Sequence, residues 1–272
     1  MNLKQPSSPG RTWCGPPVLA GLAAVGLVLA LVAPASANSL GKVRLEYWRV
    51  SPRQASNVTY DSTTKNGLLT GKYNLTLDTN YDPDGDGTAG SGQGVDVYAA
   101  KDANNQIGTF CADLEQWAPT SMRVYDVFHP EEAPIGGGNT PIGIAKAWDL
   151  RRLFNQHTND ISTNDGAAAF QAAVWEIVYE DTGTYNVTSG DLSMTYYWGA
   201  SSGWLDTAND WLGSLGTDTP DVGLRVLANT EKQDFAMWVP GLPADPLPEP
   251  VTMAGLVLGV GSLACYVRRR RR

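Results

Sequence analysis

The sequence predicts an α+β fold: a β-sandwich-like, strand-rich domain with an inserted helical subdomain, flanked by a signal peptide and a C-terminal transmembrane sorting segment. Three observations carry this. Apolar residues alternate from Lys42 to Phe128, the period changes to a helical one after Gly143, and alternation returns near residue 223.

In chain order, Val43, Leu45 and Tyr47, then Tyr73, Leu75 and Leu77, then Val95, Val97 and Ala99 each recur at every second position, as in strands with one buried face. Val124, Asp126 and Phe128 alternate with Tyr125 and Val127 in the same way. "KNG" at 65–67 and "GGGN" at 136–139 read as the turns between them. Ala147, Leu150, Phe154 and His157 are spaced i, i+3, i+7, i+10 and predict a helix. A second helix covers 166–179, with Asn164 or Asp165 as its cap, and a third carries Trp204, Leu205, Ala208, Trp211, Leu212 and Leu215. "GLRVLA", followed by Phe235, Met237 and Val239, reads as strands that close the sheet.

The two ends differ in composition from this 38–240 domain. Residues 1–37 have Lys4 and Arg11, an apolar run from Val18 to Ala33, and a small-residue "ASA" cleavage site at 35–37, the layout of a signal peptide. Residues 241–250 are a proline-rich linker, 251–267 an uncharged apolar segment of spanning length, and 268–272 five arginines that read as a cytoplasmic tail. Pro248, Glu249 and Pro250, followed by an apolar segment and a basic tail, resemble a PEP-CTERM sorting signal. The resemblance implies an exosortase-type processing enzyme as a partner. The expected itinerary is export, transient inner-membrane anchoring, then the cell surface or extracellular matrix.

All 28 acidic residues lie between 38 and 250, against 13 of the 20 Lys and Arg, so this stretch carries a formal charge of −15. A nucleic-acid partner is excluded by that balance. Cys14 lies in the signal segment and Cys265 in the apolar C-terminal one, which leaves Cys111 without a disulfide partner in the domain.

Cys111 stands in "GTFCADLEQW", and the second helix contains "AFQAAVWEI". Gln171, Trp175 and Val178 share a stripe beside that of Phe170, Val174 and Ile177, so Gln171 belongs to the packed side or at least its edge, where its amide needs partners. The pair of stretches resembles the thioester domain of bacterial surface proteins, with an aromatic-Cys motif on a strand and an apolar-Gln-x-x-apolar-Trp motif on a helix. By position, the resemblance implies a reactive pair of Cys111 and Gln171, with Phe110, Val174 and Trp175 completing and shielding the motif. A thioester formed there is an acyl donor for an amine on a protein or surface polymer. This implies a covalent adhesin or matrix cross-linker, and no turnover enzyme. Trp117 and Tyr125 are further shielding candidates, and Asp113 or Glu115 candidates for orienting a proton.

Three other readings stay open. Cys111 with His129 or His157 would be a cysteine hydrolase, although no hydrolase motif surrounds either histidine. Asp82, Asp84 and Asp86 in "YDPDGDG" resemble half of a calcium loop with Gly87 at its sixth position, but Gln93 stands where a bidentate Glu belongs. Calcium is the one cofactor this pattern offers. Tyr196, Tyr197, Trp198 and Trp204 would suit a non-covalent exopolysaccharide or biofilm-matrix structural protein that stacks its ligand on aromatic rings.

Overall fold

A computed structural model describes residues 39–85, 95–136, 140–181, 184–217 and 223–242. The signal segment, the Pro248–Pro250 motif, the apolar 251–267 segment and the arginine tail lie outside the described residues. Among the described residues no helix is long and apolar enough to cross a membrane.

Seven antiparallel strands form one sheet in the order β2-β3-β7-β6-β4-β1-β5, and β1 also pairs with β2. The strands are β1 (Gly41–Tyr60), β2 (Thr63–Leu77), β3 (Gln106–Cys111), β4 (Arg123–Phe128), β5 (Leu192–Tyr196), β6 (Gly223–Ala228) and β7 (Phe235–Val239). The extra pairing closes six strands into a ring, where the sequence led us to expect two facing sheets. The length of β1 makes this possible: Gly41 to Leu45 pair with β4, Ser56 to Tyr60 pair with β5, and the opposite edge pairs with β2 over most of its length. Three register shifts along the β1–β2 pair, at Tyr47/Arg49, Val50/Arg53 and Ser56/Val58, bend and twist this ribbon.

The β1–β2 turn is Asp61-Ser62, both at positive φ as a two-residue hairpin of the I′ type requires. "KNG" therefore lies inside β2, and the expected turn there is corrected. A second correction concerns 95–99. The expected strand is a short helix, α1 (Val95–Ala99), which buries Val97 and directs Asp96 to Arg225 of β6 at 2.7 Å. Five alternating residues do not separate a strand from one helical turn, and the ion pair to a distant strand decides.

The helices follow β4: α2 (Ile144–His157), α3 (Asn164–Tyr179) and α4 (Trp204–Gly213). The insertion also contains β5, which buries only Leu192 and Met194, too short a pattern to read from the sequence. Helix α3 packs on β1, β2 and β3 and is covered by α2 and α4. Every residue from Ala167 to Tyr179 is buried, so this is a central helix whose alanines permit close approach on all sides. Its cap is Thr163, whose hydroxyl accepts from Gly166 N at 3.0 Å. Asn164 and Asp165, expected as caps, instead hold β1, with Asn164 accepting from Arg53 N at 3.1 Å and Asp165 from Gln54 Nε2 at 2.5 Å. Gly166 is required because a Cβ there would lie 2.0 Å from Asp160 O.

Candidate functional site

Strand β3 ends at Cys111, which pairs with Phe235 of β7, and the chain continues by Ala112 N donating to Asp234 O at 2.8 Å. Phe110, one residue earlier, packs its ring on Phe170 of α3 (centroids 4.4 Å apart) and on Phe154 of α2. These ring contacts seat α3 against the end of β3. Helix periodicity then brings Gln171 and Trp175, one turn apart, to the cysteine.

The Gln171 carboxamide and the Cys111 main chain form a closed pair of hydrogen bonds. Cys111 N donates to Gln171 Oε1 at 2.8 Å, and Gln171 Nε2 donates to Cys111 O at 2.8 Å. Gln171 is fully buried, on the packed side of the helix, and these bonds are what its burial requires. The Cys111 thiol donates to Asp113 O at 2.8 Å, while Trp175 Nε1 donates to Cys111 Sγ at 3.3 Å. Cys111, Gln171 and Val174 have no exposed surface and Trp175 has 1%. Burial first, then the nearby Asp113 and Asp234 carboxylates, push the thiol well above its ordinary range, against the lowering effect of the Trp175 bond.

Asp113 and Asp234, both buried, flank the sulfur side. Asp113 Oδ1 accepts from Glu115 N at 2.6 Å and Gln116 N at 3.3 Å, and its Oδ2 is buried without a partner among the described residues. Asp234 accepts from Asn229 N at 2.7 Å and Gly136 N at 3.0 Å. Glu115 is exposed, so of the two acids proposed for proton handling only Asp113 sits inside. Gln233, whose Nε2 donates to Asp113 O at 3.1 Å, was not singled out by the sequence; a polar residue at the head of an apolar strand was its only signal.

The other shielding candidates separate. Tyr125 is buried and donates to Gln233 O at 3.2 Å, whereas Trp117 is 74% exposed and lines a cavity of about 400 Å³ that Trp175 also borders. Neither histidine joins the cysteine: His129 Nδ1 lies 3.4 Å from Arg225 Nη1, and His157 stacks on Trp211 and faces Asp160 at 3.1 Å. This removes the hydrolase pairing. Asp82 accepts from Asp84 N and Gly85 N in a local turn, while Asp86, Gly87 and Gln93 lie outside the described residues. Among the described residues no group of three His, Cys, Asp or Glu side chains is placed to hold a metal. Of the aromatic cluster, Trp198 and Tyr197 are exposed, but Trp204 is buried against Tyr196.

No protein-family model matches the sequence, and no curated protein matches it. Among solved structures the chain is similar to the N-terminal thioester domain of a surface protein from Clostridium perfringens, with 12% identity, coverage of 73% of this chain and 99% of that chain, and a TM-score of 0.35.

Proposed function

We propose that Cys111 and Gln171 form an internal thioester that attaches this protein covalently to amine-bearing targets at the cell surface. The observation that carries this is the closed hydrogen-bond pair between the Gln171 carboxamide and the Cys111 main chain, with Trp175 on the sulfur. It immobilises an otherwise unreactive amide beside a thiol in a site without exposed surface.

The chemistry balances as follows. The sulfur adds to Gln171 Cδ, and the charge that develops on Oε1 is met by the Cys111 N–H already bonded to it. The C–N bond breaks, the thiol proton leaves with the nitrogen as ammonia, and the C–S bond remains. A neutral amine later adds to the same carbon and releases Cys111 as a thiol, leaving an amide. Each molecule reacts once, so the protein acts as a cross-linker. Intact-protein mass tests this: the untreated chain should be lighter by one ammonia, and an unchanged mass with a freely alkylatable Cys111 would exclude the bond.

The same reading includes export and sorting, on the sequence of the two ends. Mature protein from the native host should begin at Asn38 and lack Arg268 to Arg272. Recovery of the intact tail from extracellular material would favour a plain anchor.

A non-covalent matrix role is favoured by one observation, the exposure of Trp48 (57%), Trp117 (74%) and Trp198 (95%). In that case retention on exopolysaccharide would survive Cys111→Ala unchanged.

A further inference from the structure

Resting on the thioester reading above, we propose that the cavity beside Trp175 is the entry site for the attacking nucleophile. It selects a primary amine on an unbranched alkyl stem, the side-chain chemistry of lysine, over a hydroxylated amine such as an amino sugar.

The position of the cavity makes it an approach to the site. It measures about 400 Å³, and Trp175, whose indole N–H rests on Cys111 Sγ, forms part of its wall. Trp175 is 1% exposed and covers the sulfur, and rotation of its indole would open the site toward this cavity.

The walls specify the stem. Val50, Leu68, Leu69 and Ala118 present apolar surface suited to methylenes. A sugar ring carries more hydroxyls than the few polar groups of this cavity can meet, and those set against these four side chains would lose their water without gaining a partner there.

Two amides specify the head. Gln116 and Gln233 both line the cavity, and each is fixed in orientation by its nitrogen. Gln116 Nε2 donates to Thr230 O at 3.1 Å, and Gln233 Nε2 to Asp113 O at 3.1 Å. Both carboxamide oxygens are buried without a donor among the described residues. Gln233 is only 8% exposed. An unpaired buried acceptor is costly, and an incoming amine brings the N–H groups these oxygens lack.

Lys65 shapes the reactivity. It lines the same cavity and its ammonium is held by the Leu114 carbonyl. A positive charge in the wall disfavours protonation of a second amine, and only the neutral amine attacks. In the step itself the amine nitrogen bonds to Gln171 Cδ, the C–S bond breaks, and the sulfur takes the proton the nitrogen sheds. The −15 charge of residues 38–250 draws cationic, lysine-bearing partners toward this surface.

The test follows amine uptake by intact mass on the full chain, with n-butylamine, methylamine and glucosamine at matched free-base concentrations. Butylamine uptake should saturate and exceed the other two by roughly tenfold or more, the discrimination that a few buried methylenes provide. Leu69→Trp, which fills the cavity, should slow butylamine and methylamine alike and bring them to one low rate, so that the preference disappears together with fast uptake. Equal rates for all three amines would overturn the selective pocket and leave the thioester standing. A wild-type chain with a fully alkylatable Cys111 would instead remove the thioester. A separate titration then decides the pocket: in Cys111→Ala, n-butylamine should shift the indole N–H signals of Trp117 and Trp175 saturably and glucosamine should not, and unmoved signals would end the proposal.

Discussion

Trp175 Nε1 lies 3.3 Å from the Cys111 sulfur, one helical turn from the glutamine whose amide grips the same cysteine. The indole both covers the sulfur and donates to it. Trp175→Phe keeps most of the cover and deletes the donor, at an expected ~1–3 kcal/mol of stability. The chain should still lose ammonia, but the bond should hydrolyse faster, seen as a quicker return of the mass to that of the hydrolysed form. A bond lifetime equal to wild type would assign Trp175 to packing alone.

Gln171→Ala and Cys111→Ala are expected to abolish amine uptake for the same reason and to differ in stability. Removing the amide leaves the Cys111 N–H and C=O buried and unpaired and opens a cavity, about 2–4 kcal/mol together. Removing the thiol leaves those two hydrogen bonds in place, so Cys111→Ala should melt at the higher temperature. Thermal unfolding of both variants checks the order, and equal melting points would mean the hydrogen-bond pair adds little.

The strand end at Cys111 and the alanine-rich helix of Gln171 are each legible from local pattern, whereas their adjacency across 60 positions is what the resemblance of the two stretches implies and not what periodicity shows. Burial does not alternate strictly in β4, β6 and β7, since β6 is buried at every position and β7 at all but Trp238, and these strands are legible as short, mostly apolar runs between turns. What the chain closes at long range is not. The ring depends on β1 serving two partners along one edge, and the buried Arg151 of α2 depends on Glu131, 20 positions earlier, at 3.0 Å. Asp234 sits beside Asp113, 121 positions away, as only the β3–β7 pairing reveals. Local patterns state what an element is, and partners across the ring state which polar residues it buries.

Glu176, on α3, makes stability depend on pH. Its Oε1 accepts from Asn186 N at 2.6 Å, its Oε2 is buried without a partner among the described residues, and burial first, then Glu180 and Asp191, raise it to about 7. The folded state therefore holds a proton that the unfolded chain releases above the ordinary value of 4.5. This contribution is most favourable below about pH 4.5 and falls as pH rises to about 7, by at most ~3 kcal/mol. Glu176→Gln keeps the Oε1 acceptor and should raise the melting temperature at pH 8 while flattening the profile in that window. A wild-type slope retained in Glu176→Gln would place the titration elsewhere.

Thiol release and amine uptake should be stoichiometric. Before treatment Cys111 should resist alkylation in the native chain, and methylamine should add once to Gln171 and expose one alkylatable thiol in the same interval. Because the neutral amine attacks, uptake of a lysine analogue with a pKa near ~10.4 should accelerate with rising pH. Alkylation that runs ahead of amine addition would mean that hydrolysis, and not transfer, opens the bond.

Asp113 is expected to carry the proton when the bond forms. The thiol lies far above its ordinary range, so the sulfur needs a base, and the site has no exposed surface from which water would supply one. Asp113 holds the thiol through its main-chain oxygen and keeps Oδ2 buried without a partner among the described residues. Burial first, and then Glu115, raise its carboxyl, while its own backbone bonds and Lys65 work the other way. A carboxylate shifted upward takes a proton from sulfur and returns it to the departing nitrogen more readily than one at its ordinary value. Asp113→Asn keeps an oxygen to accept from Glu115 N and Gln116 N, so the turn should persist, but it removes the base. Ammonia loss, followed by mass after refolding, should slow by about 10²-fold or more while the melting temperature changes little. The wild-type rate should fall as pH drops through the raised pKa of Asp113, because the protonated acid cannot accept the thiol proton, and the variant should show no such fall. Wild-type kinetics in Asp113→Asn would leave Asp113 as a turn residue and direct the search for the base to Asp234.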